Sequence, residues 1–183
     1  MDQSTSCMGV SVIDVNLVKP APFELRYMNT IHGDKLLYDI PAQFDDLAST
    51  KVLARSYGMA RSLNMLIQVF DPDMGIGEDN FLGMSALTFK QLITLTEILR
   101  KPFVENGVHL SLVLPRLAKG VVGADFKGST KEDVRIGLEN YKHLNTNGID
   151  LSIVDEHSSD SGAIGLWRCE KIARDHGVFP DGR

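Results

Sequence analysis

The sequence predicts an α+β fold in which an antiparallel β-sheet packs against about three helices. Short runs of β-branched or alternating apolar residues are typical of strands, and two longer segments begin with helix capping boxes. The order of these runs favours antiparallel pairing, and no repeat or linker divides the 183 residues. We therefore expect a single domain over 1–183, with a globular core at about 10–168 and candidate flexible tails at 1–9 and 169–183.

The amino-terminal third contains two predicted strands. Residues 10–18 (VSVIDVNLV) are rich in β-branched side chains, and residues 23–30 (FELRYMNT) alternate apolar with polar side chains. The HGDK sequence at 32–35 is a predicted turn. The LLYDI sequence at 36–40 fits either a short returning strand or the entry to a helix.

Three segments show the features of helices. The first follows Pro41, has apolar residues at roughly helical spacing and ends at Gly58, a residue suited to a helix C-cap. The other two open with a Ser or Thr that is followed three residues later by Glu or Gln, which is a capping box. The three segments are 42–58, 88–102 and 129–144.

Further strands are predicted between and after these helices. The mostly apolar run at 63–70 (LNMLIQVF) predicts a buried strand, and the strict alternation at 108–114 (VHLSLVL) predicts a half-buried one. Near the carboxyl terminus, 149–154 alternates, the polar stretch 155–162 resembles a turn, and 163–167 is apolar again. This order predicts a terminal β-hairpin.

Composition restricts the classes of function. An apolar fraction of 43% with 23% charged residues is ordinary for a globular protein. The net charge is −5, and the sequence shows no basic cluster. Both features argue against a protein that mainly binds the phosphate backbone of nucleic acid. No secretory signal or membrane-spanning run is apparent, and Cys7 and Cys169 are interpreted as two separate thiols. These features predict a soluble cytosolic chain.

No catalytic constellation is recognisable from spacing. The sequence lacks a nucleophile elbow, a P-loop and a dinucleotide-binding fingerprint, and it has no Cys or His pair at zinc spacing. Cys169 and His176 fall in a polar tail, and His157 is interpreted as part of a solvated hairpin tip. We therefore expect a protein that is not an enzyme and that needs no cofactor.

The acidic stretch FDPDMGIGEDNFLG at 70–83 is the one candidate metal site. Asp71, Asp73 and Asp79 could supply oxygen ligands to calcium. Together with the closing FLG they resemble the third calcium loop of the calcium-dependent lipid-binding modules of protein kinase C and synaptotagmins. That resemblance implies a calcium-dependent lipid-binding module. A solvated acidic loop without a partner is the remaining interpretation of this stretch.

A second resemblance extends along most of the chain. The order of features is similar to that of rhabdovirus matrix proteins, in particular the short type of plant-infecting members. The corresponding segments are KPAPF at 19–23, SYGMARSLNMLIQVF at 56–70, RKPFVENGVHLSLVL at 100–114, the helix at 130–144 and the apolar and polar series at 148–167.

This resemblance implies a non-enzymatic viral structural protein that self-associates and links the nucleocapsid to the envelope. Its expected partners are further copies of the chain, the viral nucleocapsid protein and, peripherally, the inner leaflet of the membrane, without sequence-specific nucleic acid. The implied location is the virion beneath the envelope and the host cytoplasm and membranes, with nuclear entry left open. In that setting Met74, Ile76 and Phe81 are expected on an exposed loop used in self-association or membrane contact.

Overall fold

The computed structural model describes residues 1–36, 47–79 and 86–179, and it confirms the α+β class. The sheet of these residues is mixed rather than wholly antiparallel, and five α-helices accompany it. The elements are β1 (Asp2–Gln3), β2 (Cys7–Val15), β3 (Phe23–His32), α1 (Leu47–Phe70), β4 (Met74–Glu78), α2 (Ala86–Glu105), β5 (His109–Val113), α3 (Pro115–Val121), α4 (Lys131–Glu139), β6 (Leu144–Asn145) and α5 (Glu156–Asp175).

The strands form two hydrogen-bonded groups. In the first, β1, β2 and β3 are antiparallel neighbours, and β6 joins β3 in parallel over two residues. In the second, β4 and β5 run parallel, with Met74 opposite His109 and Glu78 opposite Val113. The predicted strands near 10–18, 23–30 and 108–114 are thereby confirmed as β2, β3 and β5.

The residue before β1 connects the two groups. The amino group of Met1 donates to the carbonyl oxygen of Ile76 at 2.6 Å, and the N–H of Glu78 donates to the carbonyl oxygen of Met1 at 3.2 Å. In a parallel pair, a residue donates its N–H to the residue before the one it faces and accepts an N–H from the residue after it. Met1 makes this pair of bonds with Ile76 and Glu78. The strands therefore lie in the order β3, β2, β1, β4, β5, with β1, β4 and β5 parallel to one another.

Helices cover both faces of this sheet. One apolar core lies between the sheet and the α1–α2 pair, and it includes Met8, Met59 and Leu99. The other lies on the α4–α5 side and includes Leu25, Leu138 and Leu166. Because successive side chains of a strand point to opposite faces, the central strands contribute to both cores. This sandwich fixes α1 and α5 on opposite sides of the same strands.

Two predicted strands belong to helices. Residues 63–70 form the last turns of α1, which continues through Gly58 instead of ending there. A Cβ at Gly58 would lie 2.2 Å from the carbonyl oxygen of Leu36, so this glycine permits a close approach rather than a helix stop. The predicted hairpin at 149–167 is also wrong: a short 3₁₀ turn, Leu151–Ile153, leads into α5.

The predicted helices at 88–102 and 129–144 are confirmed with different limits. Helix α2 passes through Pro102 to Glu105. Helix α4 begins one residue later than expected, because the capping box joins Thr130 and Asp133 instead of Ser129 and Glu132. Of the first predicted helix, residues 42–46 lie outside the described part of the chain.

The two candidate tails contain regular structure where they are described. Residues 2–3 and 7–9 belong to strands, and residues 169–175 complete α5. Cys7 and Cys169 are both buried and are not bonded to each other, which confirms two separate thiols. Among the helices of the described residues, none combines the length and apolarity that crossing a membrane would require.

The start of α5 lies directly against β2, and Gly9 makes this possible. A Cβ on Gly9 would lie 1.8 Å from the carbonyl oxygen of His157, which is backbone and can move only with the helix. We expect Gly9→Ala to lower the free energy of unfolding by about 2 kcal/mol, measured by urea denaturation. Gly120→Ala is the matched control, because the nearest atoms to its Cβ would be Asp125 side-chain atoms at the ordinary contact distances of 3.5–3.9 Å. An unchanged midpoint for Gly9→Ala would contradict this close packing.

Candidate active site

Four ionisable side chains meet at one edge of the sheet. Asp2 lies in β1 and Glu78 ends β4, and these parallel neighbours point their carboxyl ends toward the same edge. His157 and Asp160 lie one helical turn apart at the start of α5, which begins above that edge. The four residues come from three separate parts of the sequence, and the fold alone brings them together.

A hydrogen-bond network holds the start of α5 in place. Asp155 is the N-cap, and its Oδ1 accepts from the Ser158 N–H at 2.9 Å and from the Thr30 hydroxyl at 2.5 Å. Burial disfavours the charged carboxylate of Asp155, but these hydrogen bonds lower its pKa overall. Ser11 of β2 adds a bond to the Ser161 carbonyl oxygen at 2.9 Å. The network therefore fixes where α5 presents His157 and Asp160.

Asp2 and His157 form a close ion pair. Nδ1 of His157 lies 2.6 Å from Oδ2 of Asp2, and the Asp2 side chain is only 12% exposed. The hydrogen bond to Asp2 raises the pKa of His157 to about 9, against the opposing effect of burial. His157 is consequently a cation at neutral pH and balances one negative charge of the cluster.

Glu78 is the carboxyl group with the strongest perturbation. Burial raises its pKa to about 8, and the negative charge and hydrogen bond of Asp2 and the charge of Asp160 act in the same direction. The cation of Lys119 opposes these effects only in part. At neutral pH and without another cation, Glu78 therefore keeps its proton. A cluster of this kind is characteristic of functional sites.

Asp160 has an incompletely satisfied carboxylate. Its Oδ1 is buried without a hydrogen-bond partner and lies 4.0 Å from Nζ of Lys119 in α3. Burial raises the pKa of Asp160, while Lys119 acts to lower it. Buried polar atoms in folded proteins are nearly always bonded, so this oxygen is a candidate ligand atom.

Two lysines adjoin the acidic cluster. Lys119 faces Asp160, and Lys131 at the start of α4 pairs with Glu156 beside His157. The hydrogen bond that Lys131 donates to Glu156 raises the pKa of Lys131. The net charge of −5 gives no indication that two cations lie together at this site.

The carboxyl groups of the cluster are of the chemical type that binds a divalent cation. Within the described residues, no three His, Cys, Asp or Glu side chains already surround a single point at metal-ligand spacing. The site side chains are instead joined in pairs, Asp2 with His157 and Asp2 with Glu78. Three crowded carboxyl groups, one retaining its proton and one with an unbonded buried oxygen, are nevertheless the hard oxygen ligands that Mg²⁺ or Mn²⁺ binds.

The acidic residues selected from sequence do not form a site. Asp71 and Asp73 precede β4, whereas Asp79 follows it and donates its N–H to the Val113 carbonyl oxygen. Asp73 and Asp79 lie six residue steps apart along extended chain, a span of roughly 20 Å. These three carboxylates therefore cannot bind one calcium ion. Glu78, in the same stretch, is the residue that belongs to the cluster.

The apolar residues expected on a loop tip occupy a strand. Met74 and Ile76 are both partly buried in β4, and the sulfur of Met74 accepts from Nε of Arg168 at 3.2 Å. Ile76 packs against the small apolar cluster that contains Val113 and Ile164. The prediction of an exposed loop is wrong for these two residues, and Phe81 lies outside the described part of the chain.

Similarity to known proteins is found in the fold and not in the sequence. No family model matches the chain, and no curated protein sequence matches it. The structure of T. thermophilus RuvC in complex with a Holliday junction substrate is similar with a TM-score of 0.68 at 16% identity, covering 97% of this chain and 93% of that chain. A second Thermus thermophilus RuvC structure gives a TM-score of 0.63 at 16% identity, covering 97% and 94%.

The chain has the RuvC fold. The resemblance to rhabdovirus matrix proteins is therefore wrong, as is the resemblance to calcium-dependent lipid-binding modules. The short motifs behind both resemblances lie in different elements from those expected, for example residues 63–70 in α1.

The functional expectations taken from those resemblances are wrong as well. They were a non-enzymatic protein and a partner set of further copies, nucleocapsid protein and membrane without sequence-specific nucleic acid. The RuvC structure similar to this chain is one in complex with a Holliday junction substrate. The virion location stays a prediction that had no basis other than the matrix resemblance.

Proposed function

We propose that this protein is a divalent-cation-dependent nuclease that cleaves branched DNA, such as a four-way junction. The observation that carries the proposal is the convergence of Asp2, Glu78 and Asp160 at the carboxyl edge of parallel strands, with pKa values raised at Glu78 and Asp160. The similarity of the fold to RuvC bound to a Holliday junction supports the choice of substrate.

The three carboxylates are the residues that would hold the cation, with His157 beside them. A bound Mg²⁺ or Mn²⁺ would supply a nucleophilic water of lowered pKa and would neutralise charge on the phosphate. Glu78 must give up its proton to become a ligand, and Asp160 contributes the buried oxygen that lacks a partner. Cation affinity and deprotonation of Glu78 are therefore linked.

The remaining groups of the site orient Asp2 and the DNA. His157 holds its proton at Nδ1 against Asp2 and keeps that carboxylate aimed at the edge of the sheet. Lys119 and Lys131 flank the cluster and can pair with phosphates on either side of the cleaved bond.

Cleavage of labelled DNA tests the proposal directly. We expect the purified chain to nick a four-way junction in Mg²⁺ or Mn²⁺, to act much more weakly on a linear duplex of the same sequence, and to lose activity when EDTA removes the cation. Strand breaks are measured on denaturing gels with separately labelled strands. Efficient cleavage in EDTA would contradict the role of the cation, and equal cleavage of both DNAs would contradict the choice of substrate.

A further inference from the structure

A cleft interrupts the sheet between β2 and β4. Its cavity has a volume of about 150 Å³, and its lining is mostly apolar. Side chains from helices on both faces of the sheet reach it, among them Ile67 of α1 and Ile172 of α5. An unbroken sheet would separate those two helices. The apolar lining includes Val12, Ile13, Ile67, Met74, Phe103 and Ile172.

The cleft exists because β1 is much shorter than its neighbours. Asp2 pairs with Gly9 and Gln3 with Met8, so β2 from Ser11 to Val15 has only β3 beside it among the described residues. On the other side, Met74 and Gly75 of β4 have only β5 as a neighbouring strand in that part of the chain. Two strand edges therefore face each other across the cavity. Strand edges inside a fold normally find hydrogen-bond partners.

The amino group of Met1 lies at the inner end of the cleft. Met1 is buried, and its amino group donates to the carbonyl oxygen of Ile76 at 2.6 Å. Burial lowers its pKa to about 6, because the charged form is poorly solvated there. A peptide N–H in the same position would make the same hydrogen bond without a charge. Extending the β1 register by one residue before Met1 leads opposite Ser11 and into the cleft.

We propose that the cleft is the seat of a further β-strand segment of about four apolar residues, joined covalently to the amino group of Met1. The segment would run parallel to β4 and antiparallel to β2, continuing the pairing that Met1 and Asp2 begin. One face of the segment would pack against α1 and the other against α5. Successive side chains of a strand point to opposite faces, so we expect apolar side chains at every position of the segment.

The direction in which the segment must run favours its covalent attachment to Met1. A segment parallel to β4 ends at the amino group of Met1. A separate peptide bound in the cleft would place its carboxyl end against the buried amine of Met1, leaving two chain ends in an apolar environment. A segment attached to Met1 removes both ends at once. It also extends the strand that carries Asp2. The inference itself rests on the cleft and does not depend on the proposed nuclease activity.

Extension of the chain at its amino end tests the proposal. We compare the chain with a variant that has Ile-Val-Ile-Val placed directly before Met1, and with a length-matched variant that has Ser-Gly-Ser-Gly there. Filling an apolar cavity of this volume and satisfying the strand edges should raise the Tm of the apolar variant by roughly 5–10 °C. The Ser-Gly variant should stay within about 2 °C of the unextended chain.

Hydrogen exchange provides the second measurement. In the apolar variant, amides of residues 11–15 and 74–75 should gain at least about tenfold protection, and light scattering should show an unchanged molecular mass. Equal Tm values for the two extended variants would overturn the proposal. So would the same stabilisation of the unextended chain by free Ile-Val-Ile-Val amide, since that result would point to a separate peptide as the occupant.

Discussion

Glu78→Gln is expected to lower the rate of junction cleavage by about 10³-fold or more, while the cation-free protein stays folded. A ligand carboxylate for the cation contributes several kcal/mol of charge stabilisation at the reacting phosphate, and each 1.4 kcal/mol is about tenfold in rate. The neutral amide of Gln resembles the protonated carboxyl group that Glu78 carries in the cation-free site. This variant should therefore lose cleavage activity while its free energy of unfolding at neutral pH, without the cation, stays close to that of the unmodified chain.

Steady-state cleavage and urea denaturation, measured on the same preparation, check this expectation. Asp73→Asn is the matched control, since Asp73 is an exposed acid in the same stretch but lies before β4. It should cleave within about twofold of the unmodified chain. If Glu78→Gln retained activity within tenfold, the cluster at Asp2 would not be the catalytic site.

Elements with strong local signals were predictable. The apolar spacing of α2 and the strict alternation in β5 depend on residues close together in sequence, and both elements are present. The capping box predicted to open α2 at Thr88 is wrong, because the helix already begins at Ala86. The run at 63–70 is apolar without a clear period, and such short runs do not distinguish a buried strand from a buried helix. In the structure it continues α1 because the chain passes through Gly58 without a break.

Helix α5 was missed because its buried face is made of small polar residues. Ser158, Ser159, Ser161 and Gly162 suggested a turn, yet all four are buried where the helix meets the sheet. Small side chains are required there because the helix backbone approaches Gly9 so closely. The one local signal was Asp155 followed three residues later by Ser158, an N-cap pair that closes at 2.9 Å.

The active site was not recognisable because its residues are distant in sequence. Asp2 and His157 are 155 positions apart and 2.6 Å apart in space. In the acidic stretch at 70–83, three aspartates suggested a metal site, but Glu78 is the residue that joins the cluster. Successive side chains of a strand point to opposite faces, so the strand assignment of 74–78 was the information needed to prefer Glu78 over its neighbour Asp79.

The stability of the cation-free protein should fall as the pH rises, and Glu78 should be a main cause. The pKa of Glu78 is about 8 in the fold against 4.5 in the unfolded chain, so the folded state binds more protons between these values. The free energy of unfolding must then decrease with increasing pH across that window and not below it. We expect a loss of about 3 kcal/mol from this group, which allows for its partial exposure.

Comparison with Glu78→Gln isolates this contribution. His157, with a pKa raised to about 9, is present in both proteins, and its contribution cancels in the difference. The Met1 amine, with a pKa lowered to about 6, does not cancel fully, because the charge of Glu78 acts to raise that pKa in the unmodified chain alone. Urea denaturation in EDTA should show the unmodified chain losing more stability than the variant between about pH 5 and pH 8.5. Added Mn²⁺ should restore that loss at the higher pH only where Glu78 is present, because the cation replaces the proton that the carboxylate has released. Parallel curves for the two proteins would show that Glu78 is ionised throughout, and would remove the linkage between its proton and the cation.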